Sequence, residues 1–180
     1  MKHFYITVAC TKDGGIGQNE QIPWYLPPDL RYFQKMTTKT FDTSKRNAII
    51  MGRNTWNSLP KRPLLGRKNI VLTSSNNVHE IVAQGAEVYK NLHEALDHLG
   101  NDETIEKIFV IGGGKLYNEA IDHPMCKCIF ATIIENDHNY EFDTFFPIEK
   151  MKSERYYLYS STPEMYYKDI RYSYVRYCTK

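Results

Sequence analysis

Three short apolar runs end in the same chemistry, and that repetition limits what this chain can fold into. Residues 46–51 read RNAIIM and run into Gly52-Arg53-Asn54-Thr55; residues 69–75 read NIVLTSS; residues 107–111 read KIFVI and break at Gly112-Gly113-Gly114-Lys115. Brief runs rich in Ile and Val, bounded by turn residues, suit strands buried on both faces of a sheet. A further run at 4–9, FYITVA, is ended by Lys12-Asp13-Gly14-Gly15. Helical patterns fall between these runs: one at about 28–37, a first helical turn at Arg53 to Trp56, one in NLHEALDHL at 91–99, and one in KLYNEAI after the glycines. In NLHEALDHL, Leu92, Ala95, Leu96 and Leu99 recur at helical spacing behind Asn91 as a cap. Strands alternating with helices predict a parallel sheet covered on its faces. Residues 127–134, KCIFATII, predict another strand. The tail alternates aromatic and polar residues around Tyr156, Tyr159, Tyr172, Tyr174 and Tyr177, which predicts an antiparallel pair at a sheet edge. No repeat or linker interrupts the 180 residues, so a single α/β domain over 1–180 is expected.

In an open parallel sheet, ligands bind beyond the carboxyl ends of the strands, where helix N-termini aim N–H groups at anions. Three such ends with glycines, hydroxyls and Arg53 suggest a ligand with more than one phosphate. Helix caps and a solvated arginine would leave the same trace. The pattern is not a P-loop, because Leu116 follows Lys115 and no glycine stands at the required distance upstream. It is not the dinucleotide fingerprint either, since Gly15-x-Gly17 lacks a third glycine and falls in a loop. Arg53 with Ser74 and Ser75 suits a ribose 2′-phosphate, and no acidic residue closes that strand end, which favours NADP(H) over NAD(H); Glu80 is the one nearby objection.

A second ligand is suggested by residues 14–33, GGIGQNEQIPWYLPPDLRYF. Glycines permit a sharp turn, Pro23 stiffens the chain before Trp24, and Pro27-Pro28 open a helix on which Asp29 and Phe33 share a face. A carboxylate beside a phenyl ring under an aromatic loop suits a pocket; an aspartate capping an exposed helix end fits equally well.

Lys+Arg of 23 against Asp+Glu of 21 leaves a net charge of +2, too small to suggest nucleic acid as the main partner. The apolar run at the N-terminus is too short for a signal peptide and no run could span a membrane, so a soluble, cytoplasmic protein is expected. Cys10, Cys126, Cys128 and Cys178 show no C-x-x-C spacing and are expected to be buried or partly buried free thiols, with Cys126 and Cys128 facing one way on their strand. No metal site is assigned, despite His123 nearby.

The motifs GGIGQNEQIPW (14–24), LPPDLRYF (26–33), IIMGRNTWNSL (49–59), RPLLGRKNIVLTSS (62–75), VIGGGKLY (110–117), FAT (130–132) and DTFFP (143–147), in this order, resemble dihydrofolate reductase over nearly the whole chain. The resemblance implies a mostly parallel twisted sheet of about eight strands with an antiparallel C-terminal edge, flanked by about four helices. It implies hydride transfer from NADPH to C6 of 7,8-dihydrofolate with a proton delivered to N5. Asp29 stands at the family's single active-site carboxylate, supported by Thr132, with Trp24 and Ile22 on the loop above the nicotinamide. For the substrate the resemblance implies Val8, Ala9 and Ile111, the apolar pocket positions Leu30, Phe33, Leu59 and Leu64 with Phe33 beside the pterin, and Arg67 on the α-carboxylate of the glutamyl tail with Gln34 nearby. For the cofactor it implies Ala9, Ile16, Gly17 and Tyr117 near the nicotinamide. Gly52, Arg53, Asn54, Thr55, Leu72, Thr73, Ser74 and Ser75 then line one phosphate end, and Ile111, Gly113, Gly114, Lys115 and Leu116 the other. A cis peptide is expected at Gly112–Gly113.

Two departures stand out. Thr7 occupies a position that is often aliphatic, although the backbone carbonyl is what the family uses there. Asp137, Asn139 and Glu141 fill a loop that latches the mobile loop in some members, but its length allows no residue to be assigned. The partners implied are dihydrofolate (polyglutamylated or not) and antifolate inhibitors, bound by a monomer. Other readings are a riboflavin-pathway reductase of the same fold and a non-catalytic NADPH- or folate-binding protein.

Overall fold

The structure, a computed structural model, describes residues 1–180. In chain order it forms β1 (Phe4–Thr11), β2 (Gly15–Gly17), α1 (Pro27–Thr38), β3 (Arg46–Gly52), α2 (Arg53–Ser58), β4 (Arg67–Leu72), α3 (His79–Ala83) and β5 (Glu87–Tyr89). It continues through α4 (Leu92–Asn101), β6 (Ile105–Gly112), α5 (Gly114–Ile121), β7 (Cys126–Ile134), β8 (Thr144–Phe145), α6 (Ile148–Met151), β9 (Tyr156–Ser161), β10 (Met165–Tyr167) and β11 (Ile170–Thr179).

The main sheet runs β10-β11-β7-β1-β6-β3-β4-β5, with β9 also on β11. Every pairing from β7 to β5 is parallel, and β11 is antiparallel to β7, β9 and β10. β9 and β10 lie end to end along one side of β11, parted by Pro163, which has no N–H to give a ladder. Thr162 bridges the gap: its N–H donates to Tyr174 O and its Oγ1 accepts from Tyr174 N–H, both at 2.9 Å. Nine strands therefore make a sheet eight strands wide.

Residues 47–51 are buried without interruption, because helices cover both faces of β3. On one face, Leu92, Ala95, Leu96 and Leu99 of α4 and Leu116, Ala120 and Ile121 of α5 pack onto Phe4, Ile6, Ile50 and Val110. On the other, Trp56 of α2 and Ile81 of α3 pack onto Ile49, Met51, Val71 and Phe109. Asn91 caps α4, accepting from Glu94 N–H at 2.9 Å, while the Glu94 carboxylate accepts in return from Lys90 N–H at 3.3 Å.

The cysteines depart from expectation. Cys128 and Cys178 form a disulfide, and Cys10 and Cys126 are free and buried. Cys128 and Cys178 are direct cross-strand partners on β7 and β11, with Cα atoms 4.1 Å apart. Such a separation belongs to facing residues of an antiparallel pair and brings two thiols together. Cys126 and Cys128 also face opposite ways. Phe4 pairs with Cys126 and Tyr5 with Cys128, so Lys127 is an extra residue that reverses the alternation.

Candidate functional site

Because β7, β1, β6, β3 and β4 are parallel, their carboxyl ends meet at one edge of the sheet. The chain moves outward from β3 to β4 and β5 and then returns to place β6 between β1 and β3. That reversal is the kind of crevice where open α/β sheets bind ligands.

Asp29 enters the crevice from the first turn of α1. It does not cap the helix: Leu26 occupies the cap position and no side chain bonds there. Thr132, paired with Ala9 across β7 and β1, donates its hydroxyl to Asp29 Oδ1 at 2.6 Å. No cation pairs with the carboxylate; burial raises its proton affinity, and the Thr132 bond works against that shift. The second oxygen, Oδ2, remains able to accept from a ligand.

Arg67 begins β4 and is buried. Its Nε–H donates to Leu65 O and its Nη1–H to Thr37 Oγ1, both at 3.0 Å, while Thr37 Oγ1 donates to Phe33 O at 2.8 Å. The guanidinium carbon lies 5.9 Å from the Phe33 ring centre. Burial lowers its pKa, and no carboxylate of the chain offsets that. The fork is therefore held from behind, with donors left over for an anion.

At the end of β6 the Gly112–Gly113 peptide is cis, as the resemblance implies. Gly113 caps α5 and Gly52 caps α2, neither with a side-chain hydrogen bond. A Cβ on Gly113 would stand 3.4 Å from Thr55 Oγ1, so the ends of β3 and β6 are in contact. Gly114 is held close from the far side: a Cβ there would stand 2.9 Å from Thr144 Cγ2. Arg53 and Leu72 are half-buried, Ser74, Ser75 and Asn54 exposed, and Thr73 Oγ1 accepts from Ser75 N–H at 3.2 Å. Lys115 is exposed at the start of α5, whereas the Leu116 side chain lies in the core, as does that of Val8; these two can offer a ligand only backbone.

Tyr117, buried, sends its hydroxyl to Thr7 O and Ile111 O, 2.8 Å from each. One proton serves two carbonyls, so acceptor capacity remains at Thr7 O within β1 and Ile111 O near the end of β6. Leu59, Leu64 and Ile111 are half-buried against the Trp56 cluster, while Leu30 is 56 % exposed and Gln34 exposed.

The loop after β1 is a small hairpin. Gln18 and Gln21 exchange backbone bonds of 2.9 Å around Asn19 (φ 50°) and Glu20 (φ 64°), the geometry of a primed two-residue turn. Ile16 packs on the core and Gly17 pairs with Thr144. Ile22 is 60 % exposed, while Trp24 is anchored edge-on to Phe142 at 6.1 Å. Gly15 is required here, since a Cβ would fall 2.3 Å from the Phe142 ring. Asn19 N–H donates to Asp143 Oδ2 at 2.8 Å. Sequence reasoning assigned no residue to this contact. Asp137 instead pairs with Arg171 through two bonds of 2.6 Å; the signal available was the first letter of DTFFP.

Comparison with known proteins agrees with this geometry. The family model described as Dihydrofolate reductase matches residues 3–178. Relatives include the bifunctional dihydrofolate reductase-thymidylate synthase of Glycine max, 41% identical over 97% of this chain and 33% of that protein. Others are the dihydrofolate reductases of Heliothis virescens (43% identical; 79% of this chain, 77% of that protein) and Aedes albopictus (40%; 82% and 80%). The chain spans about a third of the Glycine max protein's length. With a family match over nearly its whole length and a relative 43% identical that it covers for 77% of that protein, the chain belongs to the dihydrofolate reductase family.

Proposed function

We propose that this chain reduces 7,8-dihydrofolate to 5,6,7,8-tetrahydrofolate with NADPH, as a cytoplasmic monomer. The observation that carries the reading is Asp29: a lone carboxylate without a cation, fixed by Thr132, at the strand-end crevice where two glycine-capped helices also begin. Family membership supports the same reading.

The residues present suit the cofactor. The uncapped N–H groups at Gly113–Gly114, backed by Thr55, suit a pyrophosphate, and Arg53 with Ser74 and Ser75 suits a 2′-phosphate. When bound, NADPH supplies the hydride from C4 of its nicotinamide. The chain's own groups orient and exclude. Asp29 Oδ2 accepts from the pterin 2-amino group and N3, and Thr132 keeps the other oxygen in place. Thr7 O and Ile111 O, both bonded to the Tyr117 hydroxyl, keep lone pairs with which to accept from the pterin edge. Phe33, Leu59, Leu64 and Ile111 hold the ring apolar faces, with Ala9, Ile16 and Ile22 toward the nicotinamide. Arg67 pairs with the glutamyl α-carboxylate. As hydride reaches C6, the C6=N5 bond takes up a proton at N5, favoured by the negative charge of Asp29 on the pterin.

Absorbance-monitored oxidation tests this. NADPH is expected to be consumed with dihydrofolate far faster than NADH. Arg53→Gln is expected to narrow that preference by about tenfold, through the lost charge-assisted bond to the 2′-phosphate. Absence of turnover would remove the reductase reading, and equal use of NADH by the unaltered protein would remove the 2′-phosphate assignment.

A further inference from the structure

We propose that the stacked rings of Tyr32 and Tyr174 form a wall closing the sheet-edge side of Asp29 to bulk water, which makes both of them positioning residues for that carboxylate. The proposal deepens the reductase reading and rests on it for the role of Asp29. Tyr32 follows Asp29 by three residues on α1, so the two share a helix face. Tyr174 stands opposite Thr132 in the β11–β7 ladder, and Thr132 is the donor to Asp29. The two rings stack with centroids 4.1 Å apart and planes at 28°. Tyr172 braces Tyr174 edge-on at 5.8 Å and is itself buried with Trp24 and Leu26. The wall is thus continuous with the anchor of the loop between β2 and α1.

The surrounding titratable and charged groups are Arg31 and Tyr32 on α1 and Tyr172, Tyr174 and Arg176 on β11; Thr132 on β7 supplies the one hydrogen bond. Burial raises the pKa of both Tyr32 and Tyr174, and in each the next cause is the charge of Asp29, which puts both phenols within Coulombic reach of it. Neither hydroxyl bonds the carboxylate, so ring area is what the wall contributes. Arg176 does not enter the pocket as a partner: its guanidinium lies over Phe130 at 5.0 Å and Tyr159 at 4.4 Å.

The test is a carboxyl-carbon NMR titration of Asp29 in the ligand-free protein, paired with the pH profile of hydride transfer. Tyr174→Ala and Tyr32→Ala are expected to lower the Asp29 midpoint by roughly one pH unit, because water reaches the carboxylate from a second side. The pH at which hydride transfer declines should move the same way. Tyr174→Phe and Tyr32→Phe are expected to leave the midpoint in place. An unmoved midpoint in both alanine variants overturns the wall, as does a shift in the phenylalanine variants, which would assign the effect to the hydroxyls. Should Tyr174→Ala not fold, Tyr32→Ala opens the same side from the helix without touching the sheet. Loss of turnover in the unaltered protein would count against the reductase reading alone, since the titration needs no substrate.

Discussion

Asp29→Asn lowers the rate of hydride transfer by roughly 10²–10⁴-fold at neutral and higher pH, the range that a positioned acid–base group contributes. The deficit shrinks as pH falls, because solvent protons increasingly supply the charge at N5 that Asp29 otherwise favours. Asparagine still accepts one hydrogen bond from a pterin amino group, so binding suffers less than the chemical step. The same change is expected to stabilise the fold at neutral pH. Burial raises the Asp29 pKa above its value in the unfolded chain, so the folded state holds the proton more tightly. Stability from this group is therefore fully present below the unfolded carboxylate pKa and is lost as pH rises through the raised one. A neutral side chain removes that loss. Single-turnover kinetics across pH, with thermal melts at the same pH values, check both halves. Near-normal turnover at neutral pH would show that the carboxylate has been misassigned.

Arg67→Lys weakens dihydrofolate binding by roughly 10–100-fold, the worth of one or two hydrogen bonds to a charged group. The guanidinium reaches Leu65 O and Thr37 Oγ1 at once and still has donors to offer. A lysine ammonium keeps the charge but cannot keep that fork. NADPH affinity should hold, since Arg67 stands at the start of β4 and the residues proposed to hold the phosphates stand at strand carboxyl ends. Equilibrium titration of each ligand separates the two affinities; an unchanged dihydrofolate affinity would refute the pairing with the glutamyl tail.

What the sequence made legible follows the range of the interactions involved. β3 was readable because a short Ile-rich run closed by Gly52 suits a strand covered on both faces. The Asn91 start of α4 was readable because cap and helix lie within four residues. The partner of Asp29 was not readable from local pattern: Thr132 lies over a hundred residues away and entered only through the family resemblance. The same limit hid the β2–β8 ribbon, in which Gly15 and Gly17 pair with Phe145 and Thr144 far downstream. It hid the Tyr32–Tyr174 stack, since alternating aromatics in the tail announce a strand and not what its residues face. The Cys128–Cys178 pair needed the register of two strands and the extra residue at Lys127. Asp143 was in a motif, but only the hairpin at Asn19 and Glu20 shows what it holds.

In the proposed reaction two ligands meet above Asp29 and a hydride passes directly between them. Single-turnover reaction of dihydrofolate with NADPH deuterated at both C4 positions, followed by mass spectrometry and NMR of the product, tests it most directly. One deuterium at C6 of tetrahydrofolate and a proton from solvent at N5 are expected. Oxidation of NADPH without deuterium at C6, or deuterium exchanged with solvent on the way, would contradict it.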